Sequence, residues 1–328
     1  MDIGTFKIKE IEESEWKKYW NQISHTNLLQ SWEYGQAKSI HGWKSINLLI
    51  QNSLSGSIAI AQILEKKMFI LGGVARLNRG PLIINSDKKE CDTNLKSIII
   101  EKLKVVAKRR KWWLFFITPE ILNNIDTKNI IDKNSLRIKK NSTQWASSKL
   151  CLSRSEEELL LSLKGKWRNL LRKSHKSDLF ISRPIIESDS IDRMANFYDK
   201  QKEKLGFKGI PSSFLKKMAE KSNEDWVFCY YEARKKTSND ICGILVSIIH
   251  GDTATYVIGN TDNCGRKLNA NYAMLWQAVT DAMAENCKWF DLGGINKNTP
   301  KGIAHFKAGM NGENYELVGN IHSLPIFE

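Results

Sequence analysis

Near the C-terminus lies the stretch Lys288-Trp289-Phe290-Asp291-Leu292-Gly293-Gly294-Ile295. Its apolar residues predict a short buried strand, and the glycine pair after them lets a ligand approach the backbone at the end of that strand. A long helix is predicted before it at 270–286, and hairpin strands at 241–250 and 253–259 precede that helix. The order of elements is therefore antiparallel strands, a helix, and then Lys-Trp entering a buried strand.

The first half of the chain shows the same order. Its predicted strands and long helix occupy residues 45–50, 56–64, 68–73 and 94–108. Lys111-Trp112 then leads into an apolar strand that ends at Thr118. Because 328 residues suit about two domains, the sequence predicts an α/β (α+β) fold with two copies of one mixed domain, at 1–150 and 151–328.

The charge balance favours a polyanionic partner. Fifty Lys and Arg residues against 36 Asp and Glu residues give a formal charge of +14. Such an excess is typical of proteins that bind nucleic acid, phosphorylated substrates or anionic membranes, although a general bias toward Lys, Asn and Ile would also produce it. With 41% apolar and 26% charged residues the composition is globular, which excludes collagen-like and broadly disordered proteins.

The sequence contains no evident membrane span, signal peptide or metal motif. No segment reaches the ~18 consecutive apolar residues of a span, and the N-terminus lacks the signal-peptide pattern. The six cysteines form no C-x-x-C pair and are isolated from the histidines, so we expect free thiols and no bound metal. We expect a cytoplasmic monomer that binds no DNA and makes at most a peripheral membrane contact.

A basic stretch follows the predicted domain boundary. Leucines and Trp167 at helical spacing predict a single helix over 156–176. Six cations lie on it with no acid among them: Lys164, Lys166, Arg168, Arg172, Lys173 and Lys176. A solvated helix face usually mixes both signs of charge, whereas Lys and Arg clustered along one helix indicate phosphate binding. The helix is therefore predicted to hold nucleic-acid phosphates.

A second candidate anion site is the polar loop at 260–271. It leads from a strand into a helix N-terminus, where free backbone N–H groups attract anions. Gly265 would permit close approach to the backbone, and Arg266 adds positive charge. In the alternative interpretation, Asn269 or Asn271 only caps the helix.

The third candidate is the segment that follows the glycine pair, because open α/β sheets bind ligands at the C-terminal ends of their strands. Lys307 lies in this segment next to Phe306 and could be a partly buried, fixed positive charge. Taken alone, it fits a surface lysine on a short helix better. The sequence contains neither a G-x-S-x-G nucleophile elbow nor a Walker A loop.

Taken together, these stretches resemble the FemABX family. The resemblance rests on Gln30–Lys38, Gly42-Trp43, Arg79-Gly80-Pro81, Trp167–Lys173, Gly259-Asn260, Asn269-Ala270-Asn271, Phe290–Ile295, Gly302-Ile303, Phe306-Lys307, Gly309, Gly312, Glu316 and Gly319. Members of this family have two tandem acetyltransferase-like (GNAT) domains. They move an amino acid from aminoacyl-tRNA onto an amine of a peptidoglycan precursor peptide. Since the sequence has no long heptad stretch, it is similar to the compact, FemX-like form without a coiled-coil insertion.

The resemblance implies roles for individual residues. Lys307 matches the lysine near the reacting centre, and Lys38 matches the lysine that contacts the nucleotide-linked acceptor. Where the compact form has an arginine for the diphosphate of the acceptor, this chain has Lys208, a point charge and not a bidentate fork. The other predicted substrate-binding residues are Tyr34, Arg79, Tyr256, Asn260, Asn271, Asp291, Gly293 and Gly294.

The predicted function is thus a cofactor-independent aminoacyltransferase whose partners are aminoacyl-tRNA and a nucleotide-linked or lipid-linked precursor. Two alternatives remain. An acyl-CoA-dependent N-acyltransferase of the same fold would need a glycine-rich loop for the CoA pyrophosphate, and 265–271 contains a single glycine. A non-enzymatic RNA-binding protein would need the charge but not the strand end at 291–295 or Lys307.

Overall fold

The structure is a computed structural model that describes residues 2–3, 5–53, 56–68, 72–85, 89–124, 127, 131, 138 and 144–323. It divides into two compact units, Ser147–Asn314 and the combination of Met1–Ala146 with Tyr315–Glu328. The sequence predicts a boundary at 150/151, whereas the second unit begins at Ser147 and the end of the chain returns to the first unit.

The first unit is built on one mixed sheet. Its strands are β1 (Asp2–Ile3), β2 (Phe6–Glu10), β3 (Lys44–Asn52), β4 (Gly56–Lys67), β5 (Gly73–Asn78), β6 (Leu82–Ile83), β7 (Trp112–Thr118) and, from the end of the chain, β15 (Ile321–Ser323). They lie in the order β1-β2-β3-β4-β5-β7-β15, with β6 paired to β4. Only the β5–β7 pair is parallel among the described pairs.

Among the described residues, three α-helices accompany this sheet: α1 (Glu13–Trp20), α2 (Trp32–Ala37) and α3 (Lys89–Arg109). Helix α3 buries Ile99, Leu103 and Val106, which recur at helical spacing, against the sheet. The strand predicted at 68–73 is instead β5, because Ala75 and Leu77 alternate with more exposed neighbours in the manner of a half-buried strand. Residues 69–71 of that prediction lie outside the described residues.

The second unit has a sheet of the same design. Its strands are β8 (Ala146–Cys151), β9 (Phe180–Ser182), β10 (Trp226–Arg234), β11 (Ile241–His250), β12 (Thr253–Thr261), β13 (Trp289–Asp291) and β14 (Glu313–Glu316). The order in the sheet is β14-β8-β13-β12-β11-β10-β9. As in the first unit, one parallel pair, β12–β13, lies among antiparallel neighbours.

Seven helices belong to the second unit: α4 (Glu156–Ser162), α5 (Gly165–His175), α6 (Ser188–Leu205), α7 (Ser212–Ala219), α8 (Asn263–Lys267), α9 (Ala270–Ala284) and α10 (Lys301–Ala308). Helix α9 is apolar on most of its surface and packs in the core against Leu245, Phe290 and their neighbours. Strand β9 is shorter than the predicted 180–186.

The predicted single helix at 156–176 is wrong, since the structure has two helices there. Leu163 and Lys164 are extended between α4 and α5. The backbone N–H of Lys164 donates to the carbonyl oxygen of Gly309 at 3.0 Å, and the Arg168 guanidinium donates to the last turn of α4 at 2.7 Å. These bonds satisfy backbone groups that a continuous helix would pair internally, and the break fixes α5 to the end of α10.

Candidate active site

The end of the parallel pair in the second unit is open. Strands β12 and β13 are paired only from Thr253–Trp289 to Thr255–Asp291, whereas β12 continues to Thr261 along β11. A bulge at Val257 interrupts the β11–β12 register just beyond the last β13 pair, and bulges bend the strand that carries them. The two parallel strands therefore leave a gap at their C-terminal ends, where ligands of such sheets bind.

Lys307 occupies this gap. Its side chain projects from α10, is only 6% exposed, and donates from Nζ to the carbonyl oxygen of Gly294 at 3.1 Å. The ammonium also lies 4.9 Å from the ring centroid of Tyr256, within the range of a cation–π contact. Burial lowers the pKa of Lys307 to about 8, and the negative charge of Asp291 opposes that shift. The lysine is thus a buried group whose charge depends on pH near neutrality.

The glycine pair after β13 is shaped around this lysine. Gly293 has a φ of +70°, which favours glycine. A Cβ atom there would lie 3.0 Å from the carbonyl oxygen of Tyr256 and 3.5 Å from Nζ of Lys307. Asp291 accepts the Gly293 N–H at 2.8 Å and the hydroxyl of buried Ser147 at 2.6 Å. No pattern in the sequence distinguishes Ser147 as a site residue.

Tyr256 is placed by a second glycine. Its hydroxyl lies so close to Gly259 that a Cβ atom at that position would overlap it. Burial raises the pKa of Tyr256 well above its usual value, so the phenol stays neutral beside the lysine. Gly259 is part of the family resemblance, and in this chain the contact with Tyr256 leaves no room for a side chain there.

The structure therefore brings together five of the predicted site residues: Lys307, Tyr256, Asp291, Gly293 and Gly294. Asn260 is paired with Ile244 within β12 and β11, and Asn271 places its amide 3.4 Å from the hydroxyl of Thr261. Roles for these two asparagines in substrate binding remain predictions.

Helix α10 is anchored by an aromatic cluster. The Phe306 ring stacks on Trp167 of α5 at 6.1 Å and meets Tyr272 of α9 edge-on at 5.1 Å. Gly309, at the end of α10, lies against the Trp167 ring so closely that a side chain would overlap it. Because Phe306 precedes Lys307 in the chain, these contacts fix the helix that carries the lysine.

The predicted phosphate-binding cations lie on the outer surface of α5 and at its ends. Lys164, Lys166, Arg172, Lys173 and Lys176 are exposed, and Arg168 is half-buried. Trp167 and Leu171 bury the opposite side of the helix. The five exposed side chains are thus available for a polyanion, whereas the Arg168 guanidinium is bonded to the carbonyl oxygen of Leu161. Binding of these residues to tRNA stays a prediction.

The loop at 260–271 differs from its predicted form, because it folds into the short helix α8. Gly265 is predicted to permit close approach of an anion to the backbone, but its N–H donates to the Asp262 carboxylate at 2.7 Å, and a Cβ atom there would overlap the Cys242 carbonyl oxygen. This glycine is needed for packing. Arg266 is exposed, but its guanidinium donates to the Thr261 carbonyl oxygen at 3.1 Å and to Asn263.

In the first unit the corresponding parallel pair is closed. Strands β5 and β7 are paired along the whole of β5, from Gly73 to Asn78. Beside it, the buried side chain of Gln30 donates to the carbonyl oxygens of Gln62 and Asn78 at 3.0 and 2.6 Å, and it accepts the Gln62 N–H at 2.8 Å. Gln30 thereby bridges β4 and β5 where their direct pairing has ended.

Each of the predicted cations of the first unit lies against an aromatic ring. Lys38 lies 5.2 Å from the ring centroid of buried Tyr34. Burial lowers the pKa of Lys38, and the charge of Arg76, which the sequence analysis did not select, lowers it further. The guanidinium of Arg79 lies 5.0 Å from the ring of Trp145. These residues could bind an anionic or aromatic ligand.

Lys208 lies elsewhere on the second unit. It lines a surface pocket of about 560 Å³ after α6, together with Asp199, Lys202, Glu203 and Phe207. Two of these side chains, Asp199 and Lys202, already form an ion pair at 2.7 Å.

In the part of the chain that the structure describes, none of the helices is long and apolar enough to cross a membrane. No three His, Cys, Asp or Glu side chains among the same residues are grouped as metal ligands. The five cysteines whose side chains are described are free thiols.

Solved structures with this fold include FemX, which is similar with a TM-score of 0.79 and 15% identity over 96% of both chains. A tandem GNAT protein from the clavulanic acid biosynthesis pathway is similar with a TM-score of 0.58 and 7% identity, over 97% of this chain and 98% of that one. The C-terminal domain of a putative lysylphosphatidylglycerol synthetase from Agrobacterium fabrum has a TM-score of 0.56 and 9% identity, over 94% and 92%. No curated protein matches the sequence.

These likenesses establish the fold as two GNAT-like domains in tandem, as the sequence predicts. The FemAB family model matches residues 11–141 and 230–326, which is most of the chain and includes Lys38 and Lys307. The chain therefore belongs to the FemAB family and is an acyltransferase of the aminoacyltransferase type in peptidoglycan synthesis.

Proposed function

We propose that this protein transfers an aminoacyl group from aminoacyl-tRNA to an amine of a peptidoglycan precursor, with Lys307 as the catalytic residue. The observation that carries the proposal is the buried ammonium of Lys307 at the open end of β12 and β13 in a chain of the FemAB family. No cofactor takes part. Because charged tRNA is a cytoplasmic substrate, the proposal also places the protein in the cytoplasm.

The reaction exchanges an ester for an amide. The neutral acceptor amine attacks the carbonyl carbon of the ester between the amino acid and the tRNA ribose, and the carbonyl oxygen becomes an oxyanion. Collapse of this intermediate breaks the ester C–O bond, and the proton lost by the amine ends on the ribose oxygen. A lysine cation beside the oxygen stabilises the oxyanion more than the neutral carbonyl, and this difference lowers the barrier.

Helix α5 supports tRNA as the donor. Its cations are free of acidic neighbours on the helix and lie on the exposed side. The helix is fixed to α10 by the Lys164–Gly309 backbone bond and by the packing of Trp167 on Phe306. A polyanion held on α5 would thus be held on the element that supports the Lys307 helix.

The contacts of α8 disfavour acyl-CoA as the donor. In GNAT enzymes this loop cradles the CoA pyrophosphate with backbone N–H groups. Here the Gly265 N–H is bonded to Asp262, and the Asp262 carboxylate would repel a phosphate at the same place. Arg266 is held by carbonyl and amide oxygens of its own loop.

The donor and the acceptor can be tested in one assay. The protein is incubated either with a pool of tRNA charged with radiolabelled amino acids or with labelled acetyl-CoA, and each donor is offered nucleotide-linked and lipid-linked precursors. We expect label to reach a precursor from tRNA only, and the labelled acceptor identifies the linkage. Transfer from acetyl-CoA alone would overturn the proposal.

Charge reversal on α5 is expected to weaken tRNA binding and to flatten its salt dependence. In the triple variant Lys166→Glu, Arg172→Glu, Lys173→Glu, each lost phosphate contact should reduce the slope of log K against log salt by about 0.7–0.9. Filter binding of tRNA at several salt concentrations measures this slope. A matched variant reverses three exposed lysines outside α5, namely Lys200, Lys204 and Lys288, and equal losses in both variants would contradict a specific role for α5.

Replacement of Lys38 by methionine is expected to weaken binding of the acceptor and to leave the rate of the transfer step unchanged. The loss of a hydrogen bond from a cation to an anionic acceptor costs ~1.5–3 kcal/mol, or roughly 10- to 100-fold in KM. Steady-state kinetics with varied acceptor should show this rise in KM with little change in kcat. Lys44→Met, at an exposed lysine of the same unit, is the control, and a drop in kcat alone for Lys38→Met would refute the assignment.

A further inference from the structure

Strand β8 contributes a buried hydroxyl to the active site. Ser147 is 2% exposed, and its Oγ lies 2.6 Å from Oδ1 of Asp291 and 2.8 Å from the carbonyl oxygen of Gly293. The same carboxylate oxygen accepts the Gly293 N–H at 2.8 Å. The Gly293 N–H is thus held by Asp291, and the single hydroxyl hydrogen of Ser147 is shared between the Asp291 carboxylate and the Gly293 carbonyl oxygen.

These hydrogen bonds fix the backbone at Gly293, the residue that sets the direction of the chain after β13. Gly293 is in the left-handed region, with a φ of +70°, so the flanking bonds must keep a turn that the chain does not adopt by default. The following carbonyl, that of Gly294, accepts from Nζ of Lys307 at 3.1 Å. The position of the ammonium therefore depends on the Gly294–Ile295 peptide, whose orientation follows from the turn at Gly293.

The bond from Ser147 to Asp291 is the shorter of its two contacts. A hydrogen bond from a hydroxyl to an ionised carboxylate is shorter and about twice as strong as a bond between neutral groups. Asp291 is itself only 7% exposed, so loss of the donor cannot be made good by bulk water. Removal of the hydroxyl should therefore loosen the turn and the carbonyl that holds Lys307.

We propose that Ser147 is a positioning residue of the transfer reaction, which ties Asp291 to Gly293 and thereby holds the Gly294 carbonyl against the ammonium of Lys307. The proposal rests on the function proposed above, in which that ammonium meets the oxyanion. Ser147 touches neither substrate, and it acts through the turn.

The neighbouring serine provides a matched control. Ser148 is equally buried in β8, at 1% exposure, but successive residues of a strand face opposite sides of the sheet. Its hydroxyl lies against Gly312 and not against the turn. Ser147→Ala and Ser148→Ala therefore remove the same group from adjacent positions of the same strand, and only the first touches Asp291.

Kinetics with charged tRNA and the labelled precursor form the first readout. We expect Ser147→Ala to lower kcat about tenfold, with both KM values within twofold of the parent, and Ser148→Ala to leave kcat within twofold. If Ser147→Ala does not fold, as judged by circular dichroism, Ser147→Cys keeps a donor at this position, a weaker one on a larger atom, and should show a smaller loss in kcat. Equal kcat values for the variants at 147 and 148 would overturn the proposal.

The second readout is independent of turnover. In protein with ¹³C-labelled lysine, the Lys307 signal is assigned by its absence in Lys307→Met and is titrated by NMR. Loss of the bond from the charged ammonium to Gly294 should move the titration midpoint of Lys307 to lower pH in Ser147→Ala, but not in Ser148→Ala. An unchanged midpoint in an active enzyme overturns the role of Ser147 alone, whereas absence of transfer by the parent protein overturns the proposed function.

Discussion

Lys307→Met is expected to lower turnover by about 100- to 1000-fold while the KM values for tRNA and precursor change little. Removal of a single oxyanion donor has an effect of this size in other acyl-transfer sites. Methionine retains an unbranched side chain that can fill the gap between β12 and β13, but it brings no charge. Since the ammonium interacts with the oxyanion more than with the ester, its loss should appear in kcat.

Two measurements separate this effect from loss of structure. Lys301→Met, at an exposed lysine at the start of the same helix α10, should leave turnover unchanged. Burial lowers the pKa of Lys307 to about 8, so the folded state is destabilised by holding the cation at neutral pH. The melting temperature of Lys307→Met should therefore equal or exceed that of the parent. If turnover of Lys307→Met were within about threefold of the parent, Lys307 would be a structural residue and not the group that stabilises the oxyanion.

The sequence was sufficient to locate Lys307 but not to predict its environment. The strand at 289–292, the glycine pair after it and the helix at 270–286 could be predicted from local pattern, because apolar runs and glycines act over a few residues. The burial of Lys307 depends on Phe306 packing on Trp167, which lies 139 residues earlier in the chain. Contacts of that kind have no local signature.

Ser147 is another residue whose position, beside Asp291, cannot be predicted from the local sequence. It meets Asp291 only because β8 pairs with β13 at the edge of the parallel pair. A serine in a short alternating strand has no feature that distinguishes it from Ser148 beside it. The helix break at Leu163 could not be predicted either, because the apolar stripe of 156–176 continues through it. In the structure, the tertiary hydrogen bond from Lys164 to Gly309 overrides the helical preference of this segment.

The difference between the two units could not be inferred from the repeated order of elements. Among the described strand pairs, each sheet contains one parallel pair, and in both sheets a Lys-Trp pair leads into the second strand of that pair. In the first unit the parallel strands are paired along the whole of β5, whereas in the second unit β12 extends beyond the last residue that is paired with β13. Only the second unit, among the described residues, has a buried lysine at the end of its parallel pair. This asymmetry supports chemistry in the second unit and ligand binding by Lys38 in the first.

Turnover of the parent protein, divided by that of Lys307→Arg, is expected to fall above about pH 8. A guanidinium stays charged throughout this range, and the acceptor amine must lose its proton in both proteins, so the ratio isolates the protonation of Lys307. Because burial lowers the pKa of Lys307 to about 8, its cationic fraction, and with it the ratio, should decrease about tenfold for each further pH unit. Single-turnover rates with freshly charged tRNA measure the ratio between pH 6.5 and 9.5 or so.

The same profile gives the sign of the contribution of Asp291. Its negative charge raises the pKa of Lys307 against the effect of burial, so Asp291→Asn should move the fall of the ratio to lower pH, since less base is then needed to discharge the lysine. A fall that moved to higher pH, or a ratio independent of pH in the parent, would mean that the protonated Lys307 is not the form that stabilises the oxyanion. If the turnover ratio falls near pH 8 in the parent and at a lower pH in Asp291→Asn, the rate depends on the protonated form of Lys307. This ammonium lies between the Gly294 carbonyl oxygen and the ring of Tyr256.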